Sequence, residues 1–205
     1  MWRTLRPALS FVVVSTVLLG VVYPLGMCAI AAGLADDPRG RVVVVDDRVV
    51  GVVDVGQHFR GPQWLQGRPS ALSTPYDART SGGSNLGPAH PSLRARIVDD
   101  VARWQSSSSS SSSAAASSAV SVPIDLVTTS ASGLDPHVSP AAARLQVPGI
   151  AAARGLSAPT VQQIVDDATE DRWLGVFGEP RVNVLRVNLA LHARRPGDGA
   201  TPAGR

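Results

Sequence analysis

The 205-residue chain contains no lysine: all 19 of its basic residues are arginine. That removes every chemistry needing a lysine in this chain, such as a P-loop ammonium on phosphates, a Schiff base or a kinase-type nucleotide lysine. There is one cysteine, Cys28. An internal disulfide, a CxxC redox pair and a cysteine-built zinc site are therefore excluded. Aromatic residues make up only 4%, too few for a base-stacking surface. Excess charge is also scarce. The sequence pI is about 9.9, yet the formal net charge is only +3. Guanidinium groups stay charged at every relevant pH, so a small arginine excess lifts the pI a long way. From Asp36 onward 17 arginines stand against 16 acids, a net of +1. That is no basic stripe, and no nucleic-acid partner is expected.

Charge is missing altogether from residues 7–35. At about 1.5 Å per residue such a helix exceeds the roughly 30 Å hydrocarbon core of a bilayer, even when tilted. Arg3 and Arg6 precede the run, and Asp36 and Asp37 follow it. Positive flanks stay cytoplasmic, so the expectation is an N-terminus inside and the remainder outside. Tyr23 and Pro24 predict a kink. A cleaved signal peptide would have a shorter apolar stretch, although Ala29-Ile30-Ala31 offers small residues. A lipid anchor at Cys28 would want small residues before it, where Gly26-Met27 stands. Small residues Gly20, Gly26, Ala29, Ala32 and Gly33 permit close approach of another helix.

The rest reads as one mixed α+β extracytoplasmic domain, residues 36–192, with a tail at 193–205. Residues 38–60 predict a hairpin, with valine runs at 42–45 and 49–53 around the polar turn Asp46-Asp47-Arg48. Residues 60–92 are dense in Pro and Gly and exclude regular structure, yet Trp64, Leu65, Leu72 and Tyr76 belong in a core. This predicts a long ordered loop. Leu93, Ile97, Val98, Val101 and Trp104 are spaced as one face of a helix over 91–105. A Ser/Ala tract at 106–118 follows and predicts a flexible linker. Ser139 before Pro140 starts a helix running to about Gly155, strained at Pro148-Gly149. Ser157 before Ala158-Pro159 starts another, with Val161, Ile164, Val165 and Ala168 on one face. Residues 182–191 alternate, Leu185, Val187, Leu189 and Leu191 against Val184, Arg186, Asn188 and Ala190. That predicts a half-buried final strand.

Motifs for chemistry are weak. Ser130, Ser132, Asp135 and His137 supply the residue types of a hydrolytic triad, but no GxSxG elbow surrounds them. The plainer reading is a loop in which Ser130, Ser132, Gly133 and Asp135 cap turns and His137 bonds backbone. His58, His90, His137 and His192 are scattered, and the acidic doublets do not form an EF-hand loop, so no metal site is expected. Ser81-Gly82-Gly83-Ser84-Asn85 could cradle an anion, but without a following lysine or preceding strand a tight structural loop is favoured. Arg68 in Gly67-Arg68-Pro69-Ser70 could sit on a carboxylate, but a buried arginine fixing one loop to another is the favoured reading.

These loops, taken in order, resemble the KdpC family, the C subunit of the bacterial ATP-driven potassium transporter. The matching residues are Arg6-Pro7, Val22-Tyr23-Pro24-Leu25, Gly56-Gln57-His58-Phe59, Gly67-Arg68-Pro69-Ser70-Ala71 and Tyr76. They continue with SGGSNLG from Ser81, VPIDLVT from Val122, SASGLDPHVSP from Ser130, AAARGL from Ala151, GEPRVNV from Gly178 and NLAL from Asn188. The similarity covers about residues 3–192. It implies one membrane helix, an extracytoplasmic domain, and two partners besides the lipid bilayer: a channel-like potassium-binding subunit and a P-type ATPase subunit. It further implies a catalytic chaperone that raises the ATPase subunit's affinity for ATP, with ATP and potassium handled by the assembled complex and no cofactor or catalytic residue of its own. Gln57, Arg68, Ser70, Ser81, Gly82, Gly83, Asn85, Ser130, Ser132, Gly133, Asp135 and His137 are the candidate loop residues. The chain departs from the resemblance in its Ser tract, in Gly149 where an arginine is expected after Gln146-Val147-Pro148, and in Asp54, an acid expected on a strand. The charge asymmetry puts the loops outside, where ATP is scarce, so the expected influence on nucleotide is indirect. A membrane-anchored serine hydrolase using Ser132 or Ser130 with His137, and a solute-binding module, are the alternatives.

Overall fold

A computed structural model describes residues 2–34, 41–109 and 121–194. The chain divides into two compact units, residues 1–42 and 43–205.

The first unit is a single apolar rod. Helix α1 (Trp2–Val17) passes through a π-helical turn (Leu18–Val22) into α2 (Tyr23–Leu34). Pro24 has no N–H and its ring crowds the preceding turn. The chain widens just before it, and the Tyr23 N–H donates to the Leu18 carbonyl, five residues back. The discontinuity expected at Tyr23-Pro24 is thus a π turn one step upstream, which carries the proline without ending the helix. Arg3–Gly33, 31 residues, is long and apolar enough to cross a membrane.

The second unit opens with the hairpin β1 (Val42–Val45) and β2 (Arg48–Val52). The turn is shorter than the sequence suggests. Asp46 and Asp47 alone form it, both at positive φ (48° and 58°), the conformation a two-residue hairpin needs to match strand twist. Arg48 opens β2, and Val53 and Asp54 lie in the following turn, so Asp54 is not on a strand. Loops then lead to α3 (Pro91–Ser109). This helix runs past its last apolar anchor into the Ser tract, where Ser106 and Ser107 hydroxyls bond the carbonyls of Arg103 and Trp104. The remainder of the tract, 110–118, and the tail from 195 lie outside the described residues.

Most of the core comes from residues between Leu126 and Leu191, with Leu65 and Trp104 packed into it. Strands β3 (His137–Val138), β4 (Thr169–Glu170) and β5 (Arg181–Asn183) form an antiparallel sheet in the order β3-β5-β4, with Val138 and Thr169 flanking Val182. Helix α4 (Pro140–Arg154) starts where expected. The Ser139 hydroxyl accepts the Ala142 N–H, and Gly155 at φ +63° closes the other end, with Leu156 N–H returning to the Ala151 carbonyl, a Schellman ending. Pro148 sits on the exposed face and the helix continues through it. Helix α5 (Ala158–Asp167) is capped by Ser157 in the same way and buries Val161, Ile164 and Val165.

The expected final strand is instead helix α6 (Val184–Ala193). Its alternation fits both periods on paper. Asn183 decides the matter: its side-chain oxygen accepts the Arg186 N–H and starts a helix immediately after β5. Val184, Val187, Asn188 and Leu191 are then buried together, while Leu189 is only half-buried and Ala190 exposed. A strand would have separated Val184 from Val187 and Asn188 from Leu191.

Candidate functional site

The long loop over residues 53–90 is ordered by side chains that imitate strand partners. Asn188 on α6 accepts the Leu65 N–H at 2.8 Å and donates to the Leu65 carbonyl at 2.9 Å. Gln146 on α4 accepts the Gln66 N–H at 2.8 Å and donates to the Gln66 carbonyl at 3.1 Å. Two adjacent backbone units are therefore clasped by buried amides, and Leu65 is driven fully into the core. Arg154 donates to the carbonyls of Gln63 and Leu191 and lies 4.3 Å from the Trp64 ring centroid. The sequence offers no marker for Gln146 or Asn188, because an amide becomes a clasp only when the fold brings a loop beside it.

Downstream, the Gly67, Ser81 and Ser130 motifs converge on one another. Arg68 donates to the Asp135 carboxylate at 3.1 Å and to the Thr129 carbonyl at 3.3 Å, the loop-to-loop role expected of it. The Ser70 hydroxyl donates to the Gly133 carbonyl. Gly82 N–H and the Ser81 hydroxyl both reach the Ser132 carbonyl. Gly83 passes so close to Ala131 that a Cβ would meet its carbonyl oxygen at 3.1 Å. Asn85, rather than a glycine of that run, adopts positive φ (50°). Ser130 and Ser132 hydroxyls accept the N–H groups of Gly133 and Leu134, so each serine caps its own turn. Gly133 at φ +72° has Leu72 and Gly82 against it. Gln57 stands apart from this cluster: its amide donates to the Val50 carbonyl and braces the hairpin.

Asp135 is the hub. It accepts from Arg68 and from the His137 backbone N–H, and the His137 ring lies 3.8 Å away. Burial pushes its carboxyl up, but hydrogen bonding to His137 and the Arg68 charge outweigh this and hold it below the usual range. Tyr76 donates to the Arg68 carbonyl at 2.5 Å. Burial, with the Asp135 charge adding, pushes its hydroxyl up to about 12, against a lowering pull from Arg68. Gly56 must be glycine here, because a Cβ would strike the Tyr76 ring and the Asp135 carbonyl.

On its other side His137 faces Glu170 at 3.9 Å and Asn183 at 3.4 Å. Glu170 in turn binds Arg181 at 2.9 Å and Arg186 at 3.0 Å. These partners were not apparent from the sequence, since β4, β5 and α6 meet only through the sheet. Among the described residues no hydrogen bond joins His137 to Ser130 or Ser132, and no group of three metal-ligating side chains occurs. A cleft of about 490 Å³ shares no lining residue with the Gly67, Ser81 and Ser130 motifs; Trp64, Arg103, Arg144, Leu145, Pro148 and Gly149 are among its walls.

The model of one family, described as "KdpC: K+-transporting ATPase, c chain", matches residues 5–193. Curated relatives named potassium-transporting ATPase KdpC subunit are similar over nearly their full length. One from Rhodopseudomonas palustris (strain BisB5) is 43% identical, the match covering 94% of this chain and 98% of the relative. One from Sorangium cellulosum (strain So ce56) is 47% identical, over 93% of this chain and 98% of the relative. One from Polaromonas naphthalenivorans (strain CJ2) is 44% identical, over 96% and 97%.

Proposed function

The chain belongs to the KdpC family of K+-transporting ATPase c chains, and from that premise we propose that it is a non-catalytic, single-pass membrane subunit that sets the nucleotide affinity of its complex indirectly. Its N-terminus is cytoplasmic and its second unit extracytoplasmic, as the arginines before the helix and the acids after it favour. Its partners are a channel-like potassium-binding subunit and a P-type ATPase subunit. It acts as a catalytic chaperone toward the latter, through coupling between subunit states rather than by touching ATP.

One observation carries this reading. The polar groups of the serine- and glycine-rich loops, the best nucleotide candidates in the sequence, are spent on each other: Ser70 on Gly133, Ser81 and Gly82 on Ser132, Ser130 on Gly133, Ser132 on Leu134. A phosphate cradle needs several free amides in one concave turn; here the amides of Gly82, Ser130, Gly133 and Leu134 already donate within the platform around Arg68 and Asp135. The same commitment argues against a serine nucleophile, which needs a base on its hydroxyl. Removing the second unit while keeping the helix tests the proposal. ATP affinity of the complex should fall although the helix still co-purifies with its partners. Unchanged affinity in an assembled complex would remove the domain from the mechanism.

A further inference from the structure

Between α5 and β5 the chain makes a small projecting turn. Trp173 and Phe177 exchange both backbone hydrogen bonds at 2.9 Å, and Gly175 and Val176 N–H groups bond the carbonyls of Arg172 and Trp173. Leu174 and Gly175 turn the corner at φ +52° and +72°. The result points four large apolar side chains into solvent: Trp173 is 71% exposed, Leu174 72%, Val176 70% and Phe177 61%. At its base Arg172 and Glu179 form an ion pair at 2.7 Å.

We propose that this tip is a membrane-interface anchor, lying in the headgroup and upper acyl region of the bilayer that holds the N-terminal helix. The inference rests on the reading that this helix spans a membrane. Three features choose lipid over a protein partner. Four of the five backbone donors from Trp173 to Phe177, all but that of Leu174, are used within the turn, so it presents mainly apolar surface. A specific protein interface draws about one hydrogen bond per 100–200 Å², whereas lipid asks only that backbone groups be satisfied internally. A tryptophan and a phenylalanine, their centroids 5.9 Å apart, with an arginine–glutamate collar below, grade from apolar to charged as the interface itself does. Finally, the covalent tether is short. Only residues 35–41 separate α2 from β1, a reach of at most about 25 Å when fully extended.

The test uses the full chain in vesicles of phosphatidylethanolamine and phosphatidylglycerol, with spin labels read by collision with oxygen and with a water-soluble nickel chelate. In a Cys28→Ala background, Val176→Cys carries the tip label and Arg79→Cys the solvent reference; both side chains are exposed, so labelling leaves the core untouched. Cys28, labelled in the otherwise native chain, reports the helix. The expected result is a severalfold higher oxygen-to-nickel ratio at the tip than at position 79, with Cys28 also oxygen-accessible. A tip label that favours the nickel chelate while Cys28 is in lipid overturns the anchor alone. Nickel access at Cys28 overturns the membrane reading and the anchor with it. A tip label shielded from both quenchers in the assembled complex means a protein partner covers it, and overturns the lipid assignment.

Discussion

Asn188 and Gln146 show how much a single buried amide can hold. Each satisfies one N–H and one carbonyl of the loop, and Leu65 is fully buried. Asn188→Ala should therefore cost about 3 kcal/mol, the penalty of two stranded backbone groups, measured by denaturant titration of the full chain in detergent. Asp135 and Tyr76 make the domain's stability depend on pH at both extremes. Asp135's folded carboxyl is held below its ordinary range, so its contribution is present above the unfolded pKa and lost as pH falls through the folded value. Tyr76 is the opposite case. Its folded hydroxyl is raised from 10.0 to about 12, so its contribution is complete below the unfolded value and disappears as pH rises toward the folded one. Tyr76→Phe should abolish that alkaline loss, and the difference between wild-type and variant phenol absorbance titrations should show a midpoint near 12.

At the scale of the element, two glycines at positive φ make a controlled comparison. Gly155 ends α4 with nothing near its missing Cβ, whereas Gly133 has Leu72 and the Gly82 carbonyl within 3.1 Å. Gly155→Ala should destabilise by about 1 kcal/mol, the conformational cost alone. Gly133→Ala adds a steric clash and should cost about 3 kcal/mol, read as a larger shift in the denaturation midpoint. In the apolar rod, Gly26 has open space around it, so Gly26→Leu leaves the helix itself intact. Reduced co-purification with the ATPase partners is the expected outcome if the rod docks closely on another helix, and an undiminished complex would count against close docking there. The capped helices α4 and α5 were legible from Ser139-Pro140 and from Ser157 with Pro159, because caps act locally. Helix α6 was not: its apolar pattern satisfies two periods, and Asn183, which settles the choice, also bonds the Val53 carbonyl from a distant segment.

For the whole molecule, the proposed arrangement predicts that proteases added to intact cells cut the second unit while sparing the helix. Protection of that unit would invert the topology. The purified chain should turn over neither ATP nor simple esters, and turnover abolished by His137→Ala would restore the hydrolase alternative.

The sequence alone determined the apolar rod, the helix starts with serine caps, the ordered character of the proline- and glycine-rich loop, and the resemblance that the family match bears out. All of these follow from local composition, spacing or ordered motifs. The tertiary structure alone decided that Gln146 and Asn188 clasp the loop, that Glu170 joins His137 to Arg181 and Arg186, that 184–193 is helical, and that an apolar tip stands in solvent. Each depends on which segments meet across tens of residues, and a hydrogen bond or a burial has no sequence period when its two halves are brought together only by the fold.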